Sequence, residues 1–307
     1  MLRICNGISR LLENKALALT FLNREYSGKR DQAPRKIETP TNKKILHLHF
    51  KNHNSMRKLF FIASILLTTL VSAQTNKAVK SGEKFTYAAS YYMSGLMTQL
   101  AQVTMETETV KTSKSTLLHL NCEAKTFSKW DTFFKIRDSY EAYVNPTTLK
   151  PSLYKRDILE GTYTKKEKYI FKGNTIQSTV KRKNMPEATK SFQTSGSAND
   201  IVSTIYLLRN VDFSKMKPGQ TKSFTVVFDE KEMGVSAKYM GKETVNAGNL
   251  GKKVCYKISI GAKTNKLKGT DKNIIYLTAD AAKVPALIQF SIPVGTGQLT
   301  LTNATGL

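Results

Sequence analysis

The feature that constrains this chain most is a rhythm. From Glu83 to Thr302 it is built of short runs in which apolar and polar residues alternate, separated by turn residues. A period of two puts successive side chains on opposite faces of a β-strand, so each run reads as a half-buried strand. Residues 83–93 and 97–110 flank Ser94-Gly95 and predict a hairpin. In the second run Val103, Met105 and Thr107 share one face, and Thr104, Glu106 and Glu108 the other. Residues 116–124 set Leu118, Leu120 and Cys122 against Leu117, His119 and Asn121. Residues 132–144 gather Phe134, Ile136, Tyr140 and Ala142 on one side. Asp138 falls on that same apolar side, where an ionised carboxylate needs a partner. Beyond the Asn145-Pro146 turn, the run 153–159 carries Arg156 in its middle, on the strand expected beside that of Asp138. The two are expected to meet as an ion pair across neighbouring strands. Residues 163–171 and 175–182 form a second hairpin turning at Gly173-Asn174. The pattern resumes over 223–229, 233–245, 253–260, 273–279, 286–292 and 298–302. In the third of these, Val254, Tyr256, Ile258 and Ile260 share a face.

One passage breaks the rhythm. In SANDIVSTIYLLRN (197–210), Ile201, Ile205 and Leu208 recur at helical spacing, and Val202 with Tyr206 widens the face. Asn199 or Asp200 caps its start through a side-chain oxygen that accepts from the first turn. So short a helix is marginal alone and needs a sheet to pack against. The fold class that follows is mainly β: antiparallel strands in a curved sheet or open, incomplete barrel, with one principal helix at about 198–210. The strands fall into two sets, 82–195 and 215–305, read as one domain with two sub-sheets as the alternative division.

The N-terminal region does not share this pattern. MRKLFFIASILLTTLVSAQ starts at Met56 with Arg57 and Lys58, continues as an apolar run over 59–71, and ends in the small residues Val71-Ser72-Ala73. These are the parts of a secretory signal peptide, and the run is too short to span a bilayer. The expected division is therefore 1–55, a disordered or non-native leader with Met56 as the true initiator; 56–73, the signal peptide; and 74–307, an exported β-rich domain. No transmembrane span is expected once the signal is removed. The location expected is the periplasm or cell envelope, with secretion as the alternative.

Charge narrows the partners. The sequence has 48 Lys+Arg against 23 Asp+Glu, a net +25, and remains basic without its first 73 residues. Export argues against nucleic acid, leaving lipopolysaccharide, acidic glycans, an anionic bilayer or an envelope protein. Cys122 and Cys255 are the cysteines that follow the signal; an oxidising compartment allows a bridge, and two buried small side chains are the alternative.

No motif of catalysis stands out. His119 is the single histidine after residue 73, and no HExxH, CxxC, GxSxG or Gly-rich phosphate loop occurs. No metal and no cofactor are expected. A pair of carboxylates from distant strands leaves no sequence signature, so Glu123, Asp131, Asp138 and Glu160 are the candidates for a dispersed hydrolase site. Tyrosines crowd the first half, and with Trp130 they can stack on sugar rings or line an apolar groove as readily as they fill a core. Ligand-binding candidates are Asp138, Arg156, Tyr140, Tyr154 and Trp130.

Four segments carry a resemblance: NPTTLKPSLYKRDILEGTY (145–163), NDIVSTIYLLRN (199–210), FDEKEMGVSAKYMGKETV (228–245) and YLTADAAKVPALIQFSIPVGTGQLTL (276–301). In this order they resemble the domain of unknown function 3108 family of exported Gram-negative proteins, over about 82–301. The resemblance implies a β-rich fold like the open curved barrels that carry lipoproteins through the periplasm. It implies no activity, cofactor or catalytic residue. The function expected is a non-catalytic envelope protein that binds a lipid, glycan or envelope polypeptide. The alternatives are an assembly or scaffold protein that uses a sheet edge, and a hydrolase with a dispersed carboxylate pair.

Overall fold

The sheet grows outward from its middle. A computed structural model describes residues 75–307 apart from 94, 263–272 and 293–294. In it β1 (Lys84–Met93) pairs on one side with β2 (Leu96–Lys111) and on the other with the last strand, β15 (Gly295–Thr305). From β2 the chain steps outward through β3 (Thr116–Thr126), β4 (Arg137–Val144), β5 (Pro151–Glu160), β6 (Tyr163–Lys172) and β7 (Thr175–Arg182) to β8 (Ala188–Gln193). It re-enters at the opposite edge with β9 (Ala198–Asn199), forms the helix, and continues into β10 (Thr221–Phe228). It then returns through β11 (Lys231–Asn246), β12 (Lys252–Ala262), β13 (Ile274–Thr278) and β14 (Pro285–Ile292) to β15. The two strand sets are thus fused into one 15-stranded sheet by the β1–β15 ladder. Every pairing is antiparallel except the short β9–β10 contact. The signal-like segment 56–73 and the leader 1–55 lie outside the described residues.

Curvature follows from chain length. Strands about 4.8 Å apart would place the edges of a flat sheet this wide some 67 Å from each other. The link from Gln193 in β8 to Ala198 in β9 reaches no more than about 17 Å. The sheet must therefore curl until its edges approach, although they do not pair and the barrel stays open. The β10–β11 turn, Asp229-Glu230, has both residues in the left-handed region (φ 49° and 60°), which matches the twist of the strands it joins. It reaches across to the first half, where Ser178 Oγ donates to Glu230 Oε1 at 2.6 Å and Glu230 N donates to the Tyr169 hydroxyl at 2.8 Å.

Burial follows the alternation. β4 alternates half-buried and buried along its whole length, with Asp138, Tyr140, Ala142 and Val144 inward. Val103, Met105 and Thr107 are buried together, as are Leu118, Leu120 and Cys122. Two expectations are corrected. Residues 132–136 are not strand: a single-turn helix α1 (Ser128–Asp131) precedes them, and Phe133 and Phe134 donate to the Trp130 carbonyl. Thr126, Asp131 and Arg137 bond to one another there, so side-chain bonding displaces the ladder until Ile136. Of the face expected in β12, Tyr256 and Ile258 are buried and Ile260 is half-buried, but Val254 is exposed, opposite the likewise exposed Thr244. β8 gave no signal because nearly every side chain in it faces water.

The principal helix, α2 (Ile201–Arg209), lies within the curve. Asp200 is its cap, accepting from Ser203 N at 2.8 Å. Seven of its residues are buried, and Ile205 is only half-buried. It therefore packs on nearly all sides rather than along the Ile201–Ile205–Leu208 stripe alone. Its end is tied down by Arg209, fully buried, which donates to Glu83 at 2.7 and 2.9 Å, to the Ala78 carbonyl at 3.0 Å and to the Ala282 carbonyl at 2.9 and 3.2 Å. Among the described residues no helix is long and apolar enough to cross a membrane.

Candidate functional site

Interior positions on β4 and β5 are the place where the alternation and the chemistry disagree. A period of two that buries Ile158 also buries Arg156, and one that buries Ala142 also buries Asp138. Asp138, Tyr140, Tyr154 and Arg156 all face the interior, each no more than 2% exposed. Tyr140 stands directly opposite Arg156, and Ala142 opposite Tyr154. Four of the five ligand-binding candidates are therefore gathered in one place. Trp130 is elsewhere: its indole N–H donates to the Gln99 carbonyl at 2.9 Å, near the turn of the β1–β2 hairpin.

The expected Asp138–Arg156 ion pair is replaced by a different set of partners. Arg156 Nη2 lies 2.6 Å from Glu167 Oε2 and 2.5 Å from Asp229 Oδ1. Lys165 Nζ joins the same two acids at 2.8 Å each. Glu167 is the direct cross-strand neighbour of Arg156 on β6, and Asp229 arrives from the β10–β11 turn. Arg156 also stacks 4.6 Å over the Phe228 ring. Asp138 instead accepts from Leu159 N at 3.2 Å. Burial, and then the charge of nearby Glu160, push its carboxyl up to about 8. It is therefore largely neutral at pH 7, which removes the need for a cation beside it. Sequence reasoning missed Lys165, Glu167 and Asp229. The signal for the first two was present: charged residues at alternate positions of a strand whose partner strand buries the same face.

The cluster is incompletely satisfied from within the protein. Among the described residues, Arg156 Nε and Nη1, the hydroxyls of Tyr140 and Tyr154, Asp138 Oδ2 and Asp200 Oδ2 have no hydrogen-bonding partner. Burial raises both phenols above their usual range, so they remain protonated donors. Asp200 is raised to about 6, chiefly by burial against the pull of its bonds to the helix start. Buried donors and acceptors of this kind are normally paired, with ordered water or a ligand where the protein supplies none. Beside them lies an apolar cavity about the size of one water molecule, lined by Val103, Met105, Cys122, Tyr140, Val202 and Leu299 among others. Tyr140 belongs to both, as a member of the polar cluster and as part of the lining of the apolar gap beside α2.

The other candidates are accounted for by their neighbours. Glu123 pairs with Lys125 at 2.6 Å, and Asp131 with Arg137, so of the four carboxylates only Asp138 and Glu160 come together. His119 stacks on Tyr143, with ring centroids 4.4 Å apart, and bonds to Glu108 at 2.8 Å and Glu141 at 3.0 Å. Among the described residues no group of His, Cys, Asp and Glu could hold a metal ion. Cys122 and Cys255 are both free and buried, and burial raises each thiol to about 11.

Comparison with known proteins bears on the fold. The model of the family described as protein of unknown function (DUF3108) matches residues 86–302. No curated protein matches the chain. Among solved structures, a β-barrel-like protein of domain of unknown function DUF1849 from Brucella abortus is similar at a TM-score of 0.50 and 8% identity. The match covers 74% of this chain and 99% of that one. At that identity the likeness is one of fold alone, and it agrees with a sheet curled toward a barrel.

Proposed function

The chain belongs to the DUF3108 family, and from that premise we propose that it is an exported, non-catalytic protein of the cell envelope that binds a lipid. One observation carries the reading: a buried polar cluster, whose donors and acceptors are in part unpaired among the described residues, lies beside an apolar gap and shares Tyr140 with it. That is the chemistry of an amphiphile. A head group carrying acceptors meets Arg156, Tyr140 and Tyr154, and a hydrocarbon chain enters along α2. The gap is water-sized here, so the lipid enters only as α2 moves outward, and Thr204 and Ile205 are its half-buried positions. Export is supported by the signal-like segment 56–73, and the envelope by the lysine-rich surface.

The test is native mass spectrometry of protein purified from its own envelope. A retained acyl-chain mass that disappears in Arg156→Gln supports the reading. Polypeptide alone overturns it.

A second reading, an assembly factor that grips other envelope polypeptides, is favoured by β8, an edge strand exposed along its length. Crosslinked pull-down from intact envelopes separates it from lipid binding. A hydrolase built on Asp138 and Glu160 has less support, because both are walled in at 2–3% exposure.

A further inference from the structure

We propose that one end of the sheet docks on an anionic lipid surface through the β1–β2 hairpin and the segment around α1. The proposal rests on a different observation from the interior site. Because neighbouring strands are antiparallel, the β1–β2, β3–β4, β5–β6 and β7–β8 connections all emerge at one end. Tyr92, Leu96, Met97, Phe133 and Met185, large apolar side chains left in water, lie on these connections or beside them. Leu96 is 72% exposed and Phe133 60%.

Tyr92, Leu96, Met97 and Phe133 are not scattered singly. Trp130 Nε1 donates to the Gln99 carbonyl at 2.9 Å, and Phe127 N donates to the Leu100 carbonyl at 3.1 Å. Both bonds hold the α1 segment against β2 near the turn of the β1–β2 hairpin, two and three residues from Met97. The Trp130 and Phe133 ring centroids are 5.9 Å apart. The result is an exposed patch of aliphatic and aromatic side chains, the kind of surface that marks an interaction site.

Charge says what covers it. Beside α1, Asp131 is neutralised by Arg137 and Glu123 by Lys125. Lys129, with its Nζ 5.8 Å over the Trp130 ring, and the exposed Lys135 then set the sign of the patch. At the next tip but one, Lys181, Arg182 and Lys183 outnumber Glu187 around the exposed Met185. Tryptophan and tyrosine favour the head-group layer, leucine and phenylalanine the acyl boundary, and lysines attract anionic head groups. A second copy of the chain would bring the same lysines face to face, which disfavours self-association.

Co-sedimentation of the protein, purified from the cells that make it, decides the matter. The comparison is between vesicles of phosphatidylcholine alone and an equal mixture with phosphatidylglycerol. The protein is expected to pellet with the mixed vesicles, less so as salt rises, and poorly with phosphatidylcholine. Leu96→Asp with Phe133→Asp is expected to lower binding at least about tenfold, since it removes two inserted side chains. The melting temperature should move little, because both side chains are mostly exposed. A parent that ignores the mixed vesicles, or a double variant that binds like the parent, overturns the proposal. So does a double variant whose effect is instead to split a dimer on sizing. Should that variant melt early, Lys129→Gln with Lys135→Gln takes its place, and parent-like binding by this second pair overturns the proposal equally. Retention of lipid in the interior is read separately, so either result stands without the other.

Discussion

A single buried carboxyl sets the clearest pH signature of this protein. Asp138 is raised to about 8 by burial and by Glu160, while in the unfolded chain it titrates near 3.9. Between those values the folded state holds a proton that the unfolded state has lost, so stability falls as pH rises across that window. Asp200, raised to about 6, contributes only to the lower part. Asp138→Asn keeps an acceptor for Leu159 N and removes the titration. Urea unfolding at pH 6 and pH 8 should show the parent losing stability over this interval and the variant losing less. Equal losses in both would show that Asp138 ionises freely in the native protein. The same scale separates Asp138 from Arg156. One is buried by losing its charge, the other by keeping it among Glu167, Asp229 and Lys165.

The helix is the element on which both halves depend. Its lower end is fixed by a buried ion pair, Arg209 with Glu83 on the approach to β1, at 0% and 1% side-chain exposure. Arg209 also lies 5.2 Å from the Phe85 ring and 5.5 Å from that of Tyr206, so it has no route to water. Breaking such a pair by removing one charge costs about 3–5 kcal/mol, because the remaining charge stays buried. Glu83→Gln should therefore lower the unfolding free energy by about that amount, and Arg209→Met in the same chain should recover part of it. A Glu83→Gln protein as stable as its parent would mean that the backbone carbonyls of Ala78 and Ala282 suffice for Arg209. The element scale also explains the correction at 132–136. Alternation predicts a strand there, but α1 is held by bonds among Thr126, Asp131 and Arg137 that a pattern of polarity does not reveal.

Across the whole molecule, the first and last strands meet in the centre of the sheet. Ala88 in β1 sits between Gln102 of β2 and Thr300 of β15, so one residue belongs to ladders from both halves. Unfolding should be a single cooperative transition, and Ala88→Pro should destabilise the whole protein rather than one part. The two buried thiols offer the readout, since Cys122 lies in the first half and Cys255 in the second. Both should be inert to a thiol reagent in the native state and react together through the urea transition. Reaction of Cys255 well before Cys122 would show that the halves unfold separately.

The sequence determined the kind of structure and much of its detail. Period-two alternation specified the strands and, for β2, β3 and β4, which side chains are buried, because burial on one face imposes that period locally. The capped helix was legible for the same reason, with Asp200 as its cap. Asp138, Tyr140, Tyr154 and Arg156 could be picked out as chemistry on an apolar face. Only the tertiary structure decided who partners whom. Arg156 finds Asp229 from 73 residues away and Arg209 finds Glu83 from 126. Such pairings depend on how the sheet curls and where β15 docks, and those are set by contacts between residues distant in the chain, which no local pattern encodes.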